Sequence, residues 1–317
     1  MPPRFQRPLA FLCLSASMAL VGCYVALCKP LVAAIPIFLL GWMRFGIAGV
    51  AMASWWRKPA DEAPMDRETK KLLFLESFVG NFLFSLCMLF GVSMTSAVSA
   101  GLILAAIPAA SALMGHYVLG DRLGPRVLAA VACAGAGIAL LAFSKAAIPG
   151  EAAAASNLAG NREWLGDLLV FGAVLCEATF IVVGKKLSAG IGPKRIAAII
   201  NGWGFVLMTP AGLYWAFQFD FSTLDLRLWV LLVFYALAAS VWMVWLWMTG
   251  MKTIPASEAG IFSAMLPITA AAIGILVFDE TWTGLQALAF LLALTGLVLA
   301  TLPSRAPASG QSPRNGP

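Results

Sequence analysis

Two charged residues stand inside apolar runs: Arg44 in "GWMRFGIAGV" and Glu177 in "VLCEATFIVV". A charge at the centre of a bilayer costs about 2.5 to 3.5 kcal/mol on insertion scales, so such residues face a bundle interior or a water-filled cavity. Arg44 follows Pro36 by eight residues, a depth of about 12 Å at the helical rise of about 1.5 Å per residue. Its guanidinium offers a fixed positive charge for a substrate carboxylate or a titrating acid. The alternative is an arginine that bonds helix ends or carbonyls and locks the fold. Glu177 lies about 10 Å of helical rise from the nearer end of its run. Desolvation and a neighbouring cation act in opposite directions on such a carboxyl, which suits a proton carrier; the alternative is a satisfied structural acid, with Arg44 as one partner.

Uncharged residues add to this set. Pro108 and Pro267 each remove a backbone donor within an apolar run and free a carbonyl, and broken helices of this kind often line substrate sites. A fixed kink without ligand contact is the other reading. Asn81 and Asn201 suit a polar cavity or interhelical hydrogen bonds. Trp242 and Trp245, three apart in "SVWMVWLWM", share a helix face and could wall a site for an aromatic or cationic ligand, or contact core or lipid. Small residues at four-residue spacing, Gly101-Ala105-Ala109 and Ala259-Ser263-Pro267-Ala271, read as close-packing faces. Glu76, His116 and Glu258 lie within a turn or two of a run's end and are expected at the interface; Glu258, in a first helical turn, also suits the helix dipole.

The elements that must position these residues follow from composition. The chain has 317 residues, 61% of them hydrophobic and 11% charged, far below the roughly 25% charged of soluble domains. Ten apolar runs are long enough, or nearly so, to cross about 30 Å of hydrocarbon as helices. They fall near Leu9–Cys28, Ile35–Trp55, Leu72–Val92, Ala97–Leu119, Val127–Phe143, Trp164–Gly184, Ile196–Phe217, Leu228–Thr249, Ser257–Phe278 and Leu285–Leu302. The predicted fold is an all-α membrane protein of ten transmembrane helices. The intervening segments leave no room for a soluble domain. "SKAAIPGEAAAASNLAGNREW" reads as a flexible hinge and "SRAPASGQSPRNGP" as a disordered tail.

The net charge of +6 does not point to nucleic acid, because the basic residues are spread over short loops. With the N-terminus inside, sixteen of the 21 Lys and Arg residues face inward. Only Lys29, Lys145, Arg162 and Arg227 face outward, which places both termini in the cytoplasm. "LVGC" at Leu20–Cys23 imitates a lipoprotein cleavage box, but the apolar "YVALC" after it argues for an uncut first helix. All six cysteines lie in apolar runs without C-x-x-C spacing and read as packing residues. With His116 as the single histidine, no metal centre or other cofactor is expected.

Sliding the chain against itself by about 159 residues aligns "AGLILAAIPAASALMGHYVLGDRL" with "AGIFSAMLPITAAAIGILVFDETW" without a gap. Pro108 meets Pro267, Gly101 meets Gly260, Gly115 meets Gly274, and Asp121 meets Glu280. At a shift of about 157, Lys29 meets Lys186, Pro36 meets Pro193, and Arg44 meets Asn201. Each half holds five spans. An odd number sends the second half in from the opposite side, giving two five-helix inverted-topology repeats with a site expected near the midplane.

On these residues the chain resembles the drug/metabolite transporter superfamily. Residues 8–142 and 164–301 are similar to two EamA-type repeats, joined by a hinge at 143–163 and followed by a tail at 303–317. The pieces that carry the resemblance are "RFGIA" in the second span, the proline-centred fourth and ninth spans, and "LGDRLGP" and "FDETWTG" after them. The resemblance implies a central cavity built from the third, fourth, eighth and ninth spans with the first and sixth, and movement of metabolites such as amino acids. One departure is "LCEA", where Glu177 stands in place of the aromatic residue usual in the sixth span.

Other classes are disfavoured. No G-x-x-x-x-G-K-[ST] stretch marks a nucleotide-driven pump, and no H-E-x-x-H or serine placed with histidine marks an intramembrane enzyme. The expectation is a secondary transporter, an exporter of small metabolites across the bacterial inner membrane. Its partners would be a small-molecule substrate, the lipid bilayer and coupled protons. A channel, or a non-transporting scaffold or sensor, is the alternative; the scaffold would be favoured by the lack of a polar cavity around Pro108, Pro267, Arg44 and Glu177.

Overall fold

The computed structural model describes residues 6–58, 64–119, 125–146, 160–187, 191–251, 262, 265–279 and 283–301. Among the described residues there is helix and no strand, as expected where backbone groups have no water to bond and must be satisfied within the segment. The first half holds α1 (Gln6–Ala34), α2 (Ile37–Ala51), α3 (Arg67–Leu75), α4 (Phe84–Met94), α5 (Ala97–Leu104), α6 (Ile107–Leu119) and α7 (Pro125–Ala146). The second holds α8 (Gly160–Leu187), α9 (Pro193–Gln218), α10 (Leu226–Leu237), α11 (Met243–Met251), α12 (Met265–Phe278) and α13 (Gly284–Thr301). These make ten apolar spans, because α3–α4, α5–α6 and α10–α11 are each one crossing.

Local chemistry sets the helix starts. Asp66 accepts the Thr69 N–H at 2.8 Å, Ser96 that of Ser99 at 3.0 Å and Asp225 that of Leu228 at 2.9 Å, each satisfying a donor that a first turn leaves open. Pro36 precedes α2 and Pro193 opens α9, so the two prolines matched by the repeat both begin second spans, where a missing N–H costs nothing.

Packing follows the inverted symmetry. The first span α1 lies on α12, and its repeat mate α8 lies on α5 and α6. Spans two and seven pair as α2 on α9, and spans five and ten as α7 on α13. Close approaches fall at small residues. A Cβ on Gly22 would collide with Leu266 O and come within 2.8 Å of Thr269 Cβ, and one on Gly101 would sit 3.0 Å from Ala270 Cβ. Cys23 lies beside Gly22 in an unbroken α1.

The fourth span breaks at Ala105–Ala106, beside Pro108, and the structure departs from expectation in three other places. Pro108 cannot donate to Leu104 O, and just before it the Ala105 N–H is shared between Gly101 O and Leu102 O, both at 3.2 Å, while Ala106 bonds Ile103 O at 3.0 Å. The third and eighth spans each contain a π-helical stretch, Glu76–Leu83 and Ala238–Trp242. A shift of about 159 residues carries the first onto 235–242, so both repeats widen at one place. The third span begins at Arg67, five residues before the expected Leu72, which moves Glu76 away from the interface. Finally, 143–146 and 160–163 of the expected hinge are helix ends. The rest of the hinge, the tail, Glu258 and the Asp121–Glu280 pair lie outside the described residues.

Gly22→Ala is expected to lower stability in detergent by about 1–3 kcal/mol, the usual cost of overpacking. Gly49→Ala, where a Cβ meets nothing within 4 Å, should be neutral or raise it by up to about 1 kcal/mol through helix propensity. Thermal unfolding followed by size-exclusion chromatography separates the two.

Candidate functional site

Arg44 lies near the middle of α2, 4% exposed. Its Nη2 donates to Asn81 Oδ1 at 3.2 Å and to Ser85 Oγ at 3.1 Å. Asn81 turns its amide outward and donates from Nδ2 to Ile200 O at 3.0 Å, while Ser85 Oγ donates to Asn81 O. One guanidinium therefore ties α2 to the third span and, through Asn81, to α9 in the other repeat. Aromatic faces enclose the rest of the group. The Phe45 ring is 4.5 Å and the Tyr235 ring 5.8 Å from the guanidinium carbon, and Tyr24 meets Tyr235 edge-on at 5.9 Å. Arg44 Nε has no hydrogen-bond partner.

The second repeat answers with uncharged groups. Asn201, the mate of Arg44, donates from Nδ2 to its own helix at Ala197 O, 2.9 Å away, and leaves Oδ1 without a partner. Ser240, the mate of Asn81, is buried with its hydroxyl unpaired. Back in the first repeat, Glu76, the mate of Tyr235, is only 1% exposed and, among the described residues, leaves Oε2 unpaired. Glu76 was expected at the interface; the earlier start of α3 and the π-helical stretch carry it inside, against α8.

Glu177 is half-buried on α8. The register of α8 on the third span is fixed by Gly80 against Phe180, Gly91 against Val170 and Gly184 against Glu76. These contacts run antiparallel and set Glu177 near the depth of Leu83 and Phe84, in the same layer as Asn81 and Ser85. Glu177 and Arg44 do not pair directly: the Arg44 hydrogen bonds go to Asn81 and Ser85.

Pro267 is buried in the first turn of α12 and its carbonyl lies 3.6 Å from the position of a Cβ on Gly101, so the fourth and ninth spans meet at that proline. Pro108, half-buried, follows the break in the fourth span. Trp242 and Trp245 are 38% and 51% exposed. Trp242 meets the edge of Phe234 at 5.9 Å, while the neighbouring Val241 and Val244 pack toward Ala48, Met52 and Ala197. The structure thus gathers Arg44, Asn81, Asn201 and Glu177 in one mid-depth layer and sets the two tryptophans on a different face. His116 is half-buried, 5.2 Å from the ring of Tyr117.

Two concavities, of about 740 and 820 Å³, lie away from this layer. The first runs between α2 and α9 along Trp42, Gly46, Trp56, Gly202 and Phe205; the second sits at the start of α10 by Asp225, Arg227 and Phe234. Neither is lined by Arg44, Glu177, Pro108 or Pro267.

Sequence reasoning missed Ser85, Tyr24, Tyr235 and Ser240. Ser85 follows Asn81 by four residues and so shares its helix face. The chain has four tyrosines, and Tyr24 and Tyr235 are the two set deep in apolar runs. For the π-helical stretches no signal was available, since hydrophobicity does not distinguish them from α-helix.

With this geometry in hand, the sequence matches the EamA-like transporter family over residues 8–143 and 164–302. The chain is 28% identical to the uncharacterized transporter YetK of Bacillus subtilis (strain 168) over 302 residues, covering 94% of this chain and 88% of that one. It is 24% identical over 190 residues to the uncharacterized transporter YyaM of the same organism, 60% of each chain. A solved crystal structure superposes with a TM-score of 0.60 at 17% identity, over 92% of this chain and 97% of its own, a likeness of fold.

Asn81→Leu removes an acceptor from a buried cation and a donor from Ile200 O. It is expected to destabilise the protein by about 1–3 kcal/mol, the usual cost of stranding buried polar groups, and Ser85→Ala by less. Thermal unfolding of the detergent-solubilised variants checks the order.

Proposed function

We propose that this chain, which belongs to the EamA-like transporter family, is a secondary transporter that exports small carboxylate-bearing metabolites such as amino acids across the bacterial inner membrane, with both termini in the cytoplasm and protons as the coupling ion. That the protein is a multi-pass membrane transporter follows from the family. Substrate class, direction and coupling are our reading of the site.

The observation that carries the reading is the state of Arg44. A guanidinium has five N–H donors, and here hydrogen bonds from Nη2 hold it in place while Nε has no partner. Among the described residues no carboxylate neutralises it. A cation in a low-dielectric layer with Nε unspent suits a ligand that brings its own carboxylate, bound in the charge-assisted geometry that favours arginine. The Phe45, Tyr24 and Tyr235 rings supply apolar walls for the remainder of an amphipathic ligand. Glu177, in the same layer, supplies an ionisable group that can respond to a pH gradient.

The test is efflux of a panel of radiolabelled amino acids from proteoliposomes under an imposed pH gradient. Arg44→Gln is expected to reduce efflux about tenfold or more, as loss of one charge-assisted contact of about 1.5–3 kcal/mol implies. Arg44→Lys should recover part of it, because an ammonium keeps the charge without the planar fork. Glu177→Gln is expected to change the pH dependence of efflux; an unaltered rate and pH profile in that variant would remove Glu177 from coupling.

A further inference from the structure

We propose that Glu76 is a second proton-binding site, set between the midplane layer and the Arg67 end of the third span, where it gates proton movement along the contact between α8 and the π-helical stretch. The proposal rests on the transporter reading for its role, but not for the existence of the site.

The case begins with where the carboxyl lies. Glu76 is nine residues beyond Arg67, where α3 begins, about 13 Å of helical rise. It is 1% exposed and opens the π-helical stretch, a rare element that tends to occur at functional sites. One oxygen, Oε1, abuts Gly184, where a Cβ would come within 2.9 Å; the other, Oε2, is buried without a partner. A carboxylate in such a place needs a cation or several donors, and a carboxylic acid needs far less.

Among the described residues, the surrounding groups supply neither. On the third span, Ser77 Oγ donates to Leu73 O at 2.6 Å, and Lys70 and Lys71 are exposed. On α9, Asn201 donates to Ala197 O, Arg195 donates to Trp56 O, and Lys194 sits 5.5 Å from the centre of the Trp55 ring. Arg44, past the far end of the stretch, is bound to Asn81 and Ser85. On α8, Glu177, another acid, lies seven residues from Gly184 and therefore two turns away on the same helix face; Lys185 and Lys186 follow Gly184 in the sequence, and their side chains lie outside the described residues. The repeat sharpens the contrast. Tyr235, at the position matching Glu76, touches Arg44, whereas the mate of Arg44 is the neutral Asn201. Among the described residues, the second version of the site keeps the acid and has no cation.

The step balances simply. When the α8 face separates from the π-helical stretch, Glu76 carboxylate takes a proton from hydronium, forming an O–H bond at Oε2 and leaving water; release to water on the other side reverses it. Gly184 lies against the carboxyl itself, so it sets how tightly the site shuts.

The first test uses the proton itself as probe, with no metabolite present. Infrared difference spectra of the intact protein in lipid are recorded across a pH titration. The carbonyl band of a protonated carboxylic acid should titrate, part of it should vanish in Glu76→Gln, and that part should persist in Glu177→Gln. Gly184→Ala, which leaves the carboxyl intact, should displace its titration. A band unchanged by Glu76→Gln at every pH would overturn the site, whatever the outcome of the efflux assay. The second test addresses coupling in proteoliposomes containing a trapped pH dye. Glu76→Gln should abolish amino-acid-dependent proton movement while keeping exchange of labelled for unlabelled amino acid. Proton movement equal to wild type would overturn the gating role even if the band assignment holds.

Discussion

A guanidinium placed in hydrocarbon must find acceptors or be expelled, and Arg44 finds them on one element, the third span. Asn81 and Ser85 are spaced so that both side chains reach one nitrogen, and Asn81 passes the constraint to the backbone of α9. Three spans from both repeats are thereby held at a single depth. Aromatic faces rather than a counter-charge complete the enclosure. Among the described residues no carboxylate pairs with the guanidinium, and a buried charge held by neutral groups alone is a costly arrangement.

Around this point the inverted repeat arranges everything else. Spans two and seven, and five and ten, pack on their own mates, and the fourth and ninth spans meet where Gly101 admits Pro267. Symmetry of backbone does not require symmetry of side chains. Where the first repeat has Arg44, Asn81 and Ser85, the second has Asn201 and Ser240 with unsatisfied oxygens, and where one π-helical stretch is preceded by Tyr235, the other opens on Glu76. Two similar frames hold one cationic and one acidic environment a short distance apart. The coupling of an anionic group to a proton that we propose would use this division.

The frame was legible from the residues. Ten spans, their pairing into two halves and the breaking role of Pro108 all follow from hydrophobic length, odd repeat number and proline chemistry, each a local property of the chain. Arg44, Asn81, Asn201 and Glu177 could be picked out because polar side chains in apolar runs are conspicuous. Glu76 was misplaced because depth was counted from the apolar run, whereas the helix begins earlier, at Arg67, where polar residues are still exposed. The tryptophans of "SVWMVWLWM" were grouped by spacing alone, and the neighbours that Val241 and Val244 contact set them on a different face.

The sequence by itself determined the crossing helices, their twofold recurrence and the few residues whose burial would be costly, because hydrophobicity and backbone hydrogen bonding are paid for residue by residue. Only the tertiary structure decided that Arg44 bonds Asn81 and Ser85 rather than Glu177, that the third and eighth spans widen into π-helix, and that Glu76 closes against Gly184. Those outcomes depend on helix register across the two repeats. A shift of one residue turns a side chain by about 100°, and no local pattern encodes that choice.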